Sequence, residues 1–514
     1  MKSPDGATRP CWYEGVTIPK YRPPAAKLDA DVAIVGAGIA GLTVAYYLAK
    51  EGRRVVVLDE GPIASGQTGR TSAHLASAID DRFIEIERMH GEAKSRLAYE
   101  SHAAAIDAIE RIAVEEKIEC EFKRLDGLLS AGPGQAPDLL DRELAAARRA
   151  GFADVEKLDS GGLYGGACLR FGRQARFHPL EYVVGLASAL KKMGVRIYTG
   201  RRVIDVQGAE PKNKKRGTIQ VQGLRAKMTA DHIVVATNTP APINDWFGIY
   251  TKQAAYRSYV VAMEIPRGSV ADALQWDTLD PYHYVRLEPG QGRGKSDLLI
   301  VGGEDHKVGQ FPEGEAPFLA LESWTRRIFP AAGRTRFRWS GQVQEPADGL
   351  AFIGRAMTKG QEVFVVTGDS GMGLTHATIA GMLISDLIAG RENPWAELYD
   401  PSRKILNADF VRENTNVVKQ YGDLLTGSEE ASEDDIRPGE GAVMRDGLSK
   451  IAVYRDRGGK VHRISAVCTH MQCIVRWNHV EKTWDCPCHG GRYDPMGKVL
   501  MGPPIEDLAP VKKS

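Results

Sequence analysis

The chain has 514 residues, 43% apolar and 26% charged, which suits a soluble protein with several cores. Its 67 lysines and arginines nearly cancel 66 aspartates and glutamates, so no overall basic field marks it as a nucleic-acid binder. The N-terminus, MKSPDGATRP, lacks the basic-then-apolar pattern of a secretory signal, and no twin-arginine motif follows. Four of the seven cysteines, Cys468, Cys473, Cys486 and Cys488, fall within 21 residues, a crowding that points to metal chemistry rather than to a disulfide scaffold.

Residues 31–59 read as strand, turn, helix and strand: VAIV, GAGIAG, LTVAYYLAKEG and VVVLD. The uncharged run 32–49 is long enough for a membrane span, but Gly36, Gly38 and Gly41 divide it. The protein is therefore expected to have no transmembrane segment and to be cytoplasmic. Gly36-x-Gly38-x-x-Gly41 follows a strand and opens a helix, the arrangement that holds a dinucleotide pyrophosphate at a helix N-terminus. Asp59 ends the next strand, 18 residues past Gly41, placed to bond ribose hydroxyls. Glu60 beside it is the second choice for that role.

Residues 81–150 are predicted to be largely helical, and LEYVVGLASALKKMG forms a further helix. Short strands follow in VRIYTG, RVIDVQ, TIQVQG and HIVVATNTP. Residues 250–345 alternate apolar and polar with many aromatics, as in an antiparallel sheet. The strand VFVVTG then feeds GDSGMG and a long helix, LTHATIAGMLISDLIAG. The acidic stretch 427–435 reads as a solvated linker. Beyond it lies a Gly-rich, β-like unit of about 75 residues.

That unit contains Cys468-Thr-His470 and, after fifteen residues, Cys486-Pro-Cys488-His489-Gly490. Four-ligand sites often hold zinc. Here, however, each loop supplies one thiolate and one imidazole, the mixed set that a diiron cluster with two cysteines and two histidines requires. CTHMQC, CPCHGGRYD and GKVLMGPP resemble the Rieske ferredoxin family. The resemblance implies a [2Fe–2S] cluster with Cys468 and Cys486 on one iron and His470 and His489 on the other. It also places Cys473 and Cys488 where one branch of the family bridges its cluster loops with a disulfide. Tyr493 matches a tyrosine that bonds a cysteine sulfur. Gly491 stands where the high-potential branch has a serine bonded to a bridging sulfide, so a lower potential is expected.

The loop SGQTGRTSAHL (65–75), with RRVIDV, ATN and DGLAFIGR…VFVVTGDSGMGLTHATIAG, resembles the D-amino-acid-oxidase-like flavoproteins, which include glycine and sarcosine oxidases. The resemblance spans about residues 28–405 and implies FAD. It carries the cofactor roles to Gly36, Gly38, Ile39, Ala40, Gly41, Thr68, Gly69, Arg70, Thr71, Ser72, Val203, Ala236 and Thr237. It also carries them to Gly371, Met372, Gly373 and Leu374, where a helix N-terminus would face the flavin pyrimidine. No second strand–GxGxxG–helix unit with a trailing acid is present, which argues against a nicotinamide domain.

In that family an antiparallel sheet supplies tyrosines and an arginine that clamp a substrate carboxylate. Tyr256, Arg257 and Tyr259, then Tyr282, His283, Tyr284 and Arg286, are the candidates, with Arg257, Tyr259, His283 and Arg286 chosen to orient substrate. Strand alternation puts Tyr282 and Tyr284 on the face opposite His283. His306 reads as a turn histidine.

The expected fold is α/β plus β. A Rossmann-like FAD-binding domain (28–80, 178–240, 340–405) carries an antiparallel substrate domain (81–177, 241–339). A linker (406–437) and a small all-β Rieske domain (438–514) follow. The expected function is oxidation of an amine or N-substituted amino acid, with flavin electrons passing through the cluster to an external one-electron acceptor, a protein or a quinone-like molecule. The alternative is an electron-transfer flavoprotein module whose cluster exchanges electrons with a protein partner.

Overall fold

The computed structural model describes residues 6–25, 28–239, 241, 246–290, 296–310, 314–356, 361–405, 407–421, 429–430, 432–447 and 449–511. The strand Asp29–Val35 has its last four residues buried, because parallel neighbours flank it on both sides. Those neighbours are Val55–Leu58 and Met228–Asn238, the centre of an eight-stranded sheet. Continuous apolar runs such as VVVL suit this sheet, which is covered on both faces. The helices Ile39–Lys50 and Gly373–Ala389 lie together over it. A Cβ at Gly381 would stand 2.7 Å from Thr43 Cγ2, so the missing side chain is what lets the two helices approach.

The second sheet has nine strands, eight of them in the order Thr335–Pro346, Gln253–Pro266, Ser296–Lys307, His283–Glu288, Leu274–Asp277, Lys123–Ser130, Cys168–Arg176 and His74–Leu75. Lys123–Ser130 corrects the expectation of helix through 81–150. It separates the helix Glu92–Glu115 from Leu139–Arg149, and in KRLDGLLS burial alternates through Leu125, Gly127 and Leu129. The helix Ala316–Ile328, also unforeseen, covers one face of this sheet, where Phe318 and Leu321 pack with Tyr259, Val261 and Met263.

A three-stranded and a four-stranded sheet make up the C-terminal unit around Trp477, Trp484 and Tyr493. Residues 406, 422–428 and 431 of the expected linker lie outside the described residues. The rest is not a bare solvated tether. The helix Ala408–Gln420 precedes the acidic stretch, Glu429 pairs with Val443, and Glu433 takes the Arg463 guanidinium. Among the described residues no helix is long and apolar enough to cross a membrane.

Candidate functional site

A cavity of about 360 Å³ opens at the C-terminal ends of the central parallel strands. Gly36 turns the chain there with φ +111°, and a Cβ on it would lie 2.3 Å from the Ala236 carbonyl oxygen. Thr68 Oγ1 accepts a hydrogen bond from Ile39 N (3.1 Å), which ties the loop after the second strand to the helix N-terminus. Asp59 is half-buried at the cavity wall, and the loss of solvent around it lifts its carboxyl to about 7. It accepts from Ala37 N (2.6 Å) and Gly61 N (2.8 Å), so this acid also braces the glycine turn. Glu60 faces the cavity and pairs with Arg202.

All the residues predicted to meet the dinucleotide line this cavity except Gly41 and Gly69. Gly41 serves packing instead, since a Cβ there would collide with the Gly36 oxygen at 1.9 Å. Gly69 packs against the Tyr13 hydroxyl and the Ala64 oxygen. Arg70 borders the cavity but turns its guanidinium outward to Thr8, the Ser340 oxygen and Glu481.

Residues of the cavity wall carry polar atoms with no hydrogen-bond partner among the described residues: Gln67 Nε2, Asn238 Nδ2, Gln342 Oε1 and His376 Nε2, all buried. A glycine cradle at a helix N-terminus, with unused donors and acceptors along the walls, fits a long polar cofactor such as FAD.

The four residues chosen to orient substrate are placed elsewhere. Ser258 and Val260 line the cavity, so their neighbours Arg257 and Tyr259 point to the other face of the strand. There Arg257 is fully buried and paired with Asp485 (2.9 Å), while Tyr259 meets His306 Nε2 (3.0 Å). His283 stacks on Trp324 and bonds Asp277 (3.0 Å), away from the cavity. Arg286 shares the face of Tyr284, but its guanidinium holds the oxygens of Ala73 (2.9 Å) and Phe177 (3.2 Å) over the Trp12 ring. Tyr256 neighbours Lys307 and Glu413. Tyr282 and Tyr284 do line the cavity, opposite His283 as alternation requires.

The four predicted cluster ligands sit on two loops of the C-terminal unit. Cys468 and His470 follow the strand Val461–Ser465, and Cys486 and His489 follow Thr483–Asp485. The two imidazoles converge, with ring centroids 5.0 Å apart, and His489 Nδ1 is buried without a hydrogen-bond partner. Burial pushes His470 to about 3 and His489 to about 4, which keeps both neutral, the form that binds metal. Cys473 and Cys488 form a disulfide. That leaves Cys468 and Cys486 as the thiols at this centre, and with two histidines they fit a [2Fe–2S] cluster. Tyr493 donates to Cys468 Sγ (3.2 Å). A Cβ at Gly491 would lie 2.6 Å from Pro504 Cδ, a packing reason for the glycine where a serine was the comparison.

Sequence reasoning missed how the two units meet. Residues of the C-terminal unit, Val499 to Gly502, Pro504 and Ile505, form part of the cavity wall. Gln342 borders the same cavity and donates through Nε2 to the Gly490 oxygen (3.0 Å), next to His489. The Tyr250 ring lies 5.0 Å from His470 and 6.1 Å from His489. Beside them Glu481 accepts from Arg70 (3.2 Å), Ser340 Oγ (2.6 Å) and Thr8, so the N-terminal segment is clamped between the units. No local motif signals this network, whose members are hundreds of positions apart.

The family model for FAD dependent oxidoreductases (DAO) matches residues 31–387, and the Rieske [2Fe-2S] domain model matches 429–512. The putative Rieske 2Fe-2S iron-sulfur protein YhfW of Bacillus subtilis (strain 168) is 30% identical over 507 residues, 97% of this chain and 96% of its own length. Gamma-glutamylputrescine oxidoreductase of Escherichia coli (strain K12) is 24% identical over 374 residues, 71% of this chain and 84% of its own. Among solved structures, glycine oxidase from Geobacillus kaustophilus superposes with a TM-score of 0.61 at 18% identity, covering 74% of this chain and 100% of that one. This chain belongs to the DAO family of FAD dependent oxidoreductases, enzymes of the amino-acid and amine oxidase type, and carries a Rieske [2Fe-2S] domain at its C-terminus.

Proposed function

We propose that this enzyme is a dehydrogenase that oxidises a C–N bond at the FAD and passes the electrons through the Rieske cluster to an external one-electron acceptor. In this reading the Gly36–Gly41 turn and the loop 68–72 hold the FAD pyrophosphate, and the N-terminus of the helix Gly373–Ala389 faces the flavin pyrimidine. Cys468, Cys486, His470 and His489 hold the cluster. When bound, the flavin accepts a hydride from the carbon beside nitrogen. The chain's own residues bind and orient the amine, and exclude water from it.

One observation carries the relay. Gln342 touches the cavity on one side and, through the Gly490 oxygen, the loop of His489 on the other. A fixed contact of this kind suits electron passage between the two cofactors. The named activity of the E. coli relative, on gamma-glutamylputrescine, supports an amine as substrate class.

Anaerobic mixing with an amine tests the reading. The flavin should bleach first, and the reduced-cluster EPR signal should follow. A flavin that stays oxidised with every amine and amino acid, yet is reduced through the cluster by a protein donor, would establish the electron-transfer module instead.

A further inference from the structure

The end of the cavity beside Gly371 is built from Asp80, Tyr282, Tyr284, Trp276, Ser258 and His74. Asp80 lies so close to Gly371 that a Cβ there would meet its Oδ2 at 2.2 Å. Tyr282 donates to the same Oδ2 (3.3 Å), and its ring stands 5.5 Å from that of Tyr284. The Tyr284 hydroxyl is held by Ser258 (2.8 Å), which fixes the ring. A carboxyl bonded by one tyrosine hydroxyl, in a cavity wall that also carries a second tyrosine and a tryptophan, is chemistry suited to an ammonium group.

Carboxyls outnumber cations around this end. Burial raises Asp80, Asp81, Asp305, Glu345 and Asp369; Asp81 and Asp305 also repel Asp80, and Asp80, Asp81 and Asp369 repel Glu345, while Arg82 acts on Asp81 and His283 on Asp305 in the opposite sense. Asp80 itself is lifted to about 7. Burial holds His74 at about 3, so it brings no positive charge. Two guanidiniums border the cavity among the described residues, and both are engaged elsewhere. Arg70 serves Glu481 and the Ser340 oxygen, and Arg202 serves Glu60 and the Val499 oxygen. Arg257 and Arg286, the two arginines with the right sequence setting, are spent on Asp485 and on backbone oxygens. A substrate carboxylate would enter this end against an acidic field with no cation to receive it.

We infer that the substrate is an amine without an α-carboxylate, and that Asp80, framed by Tyr282, Tyr284 and Trp276, is the residue that receives its ammonium group. This deepens the proposed function and rests on the C–N bond being oxidised in this cavity. Asp80 accepts a proton from R–CH2–NH3⁺, leaving the free amine. The amine gives a hydride, two electrons with one proton, to FAD and becomes R–CH=NH2⁺, which water hydrolyses to aldehyde and ammonium. The raised carboxyl of Asp80 matches it to that proton transfer near neutral pH.

Matched pairs that differ only in a carboxylate decide the matter. The FAD- and cluster-loaded enzyme is titrated anaerobically with pentane-1,5-diamine against lysine, and with methylamine against glycine. Flavin absorbance reports both binding and bleaching. The expected result is that each amine perturbs or bleaches the flavin at lower concentration than its amino acid. Asp80→Asn should then weaken amine binding by about tenfold or more, the scale of a lost charged hydrogen bond. This neutral isostere relieves repulsion, so it should fold, and Tyr282→Phe serves as a second probe with a smaller loss. Tighter or equal binding of the amino acids, or an unchanged Asp80→Asn, overturns this inference and leaves the C–N oxidation intact. No perturbation by either class overturns both.

Discussion

The Glu481 clamp yields a prediction whose size can be worked out. Its side chain is fully buried, and burial alone would raise its carboxyl. The guanidiniums of Arg70, Arg492 and Arg257 outweigh that effect and hold it at about 2, against 4.5 in an unfolded chain. At about 1.4 kcal/mol per tenfold, the difference is worth roughly 3 kcal/mol at neutral pH. Because the folded value is the lower one, this stability is complete above about pH 5 and fades as pH falls towards 2. Glu481→Gln removes it and leaves buried guanidiniums short of a counter-charge, a change that costs about 3–5 kcal/mol in other buried pairs. Urea titrations followed by visible circular dichroism of the cluster should show a lower midpoint for the variant at pH 7. The gap from wild type should close between about pH 5 and 2. Equal midpoints at pH 7, or a gap that ignores pH, would refute the reasoning.

Four further outcomes are expected. Gln342→Leu keeps its flavin but slows cluster reduction severalfold after flash reduction of the flavin, and an unchanged rate would remove Gln342 from the path. Gly36→Ala forces a Cβ onto the Ala236 oxygen at a left-handed φ, so the purified protein should lack FAD; wild-type flavin absorbance per protein would contradict this. His489→Ala should abolish both the reduced-cluster EPR signal and turnover with one-electron acceptors while sparing flavin bleaching, and surviving turnover would take the cluster out of the path. Gly491→Ser should raise the midpoint in protein-film voltammetry by adding a donor near the cluster, and must displace Pro504 to do so. A midpoint that stays put discredits the assignment of a lowered potential to Gly491.

What was legible in the sequence was local. The glycine turn, the strand ends around it and the two cluster loops are short motifs whose spacing is set by backbone geometry, and the cavity gathers most of them. The arginines were misjudged for a physical reason. A charged side chain on a strand announces its chemistry but not its face, and Arg257 lies one residue away from the cavity-lining Ser258. Alternation did separate Tyr282 and Tyr284 from His283, because that rule needs only a period of two. The Arg70–Glu481 pair spans 411 positions, and nothing in either neighbourhood foretells it. Asp80 drew no notice because a single aspartate after a loop carries no pattern. Its meaning comes from the tyrosines brought to it across the sheet.

The wall formed by Val499 to Gly502, Pro504 and Ile505 makes one chamber depend on two folding units. Loosening the C-terminal unit would open a side of that chamber, so flavin content is expected to fall together with cluster content. Flavin absorbance per protein then doubles as a gauge of docking between the units.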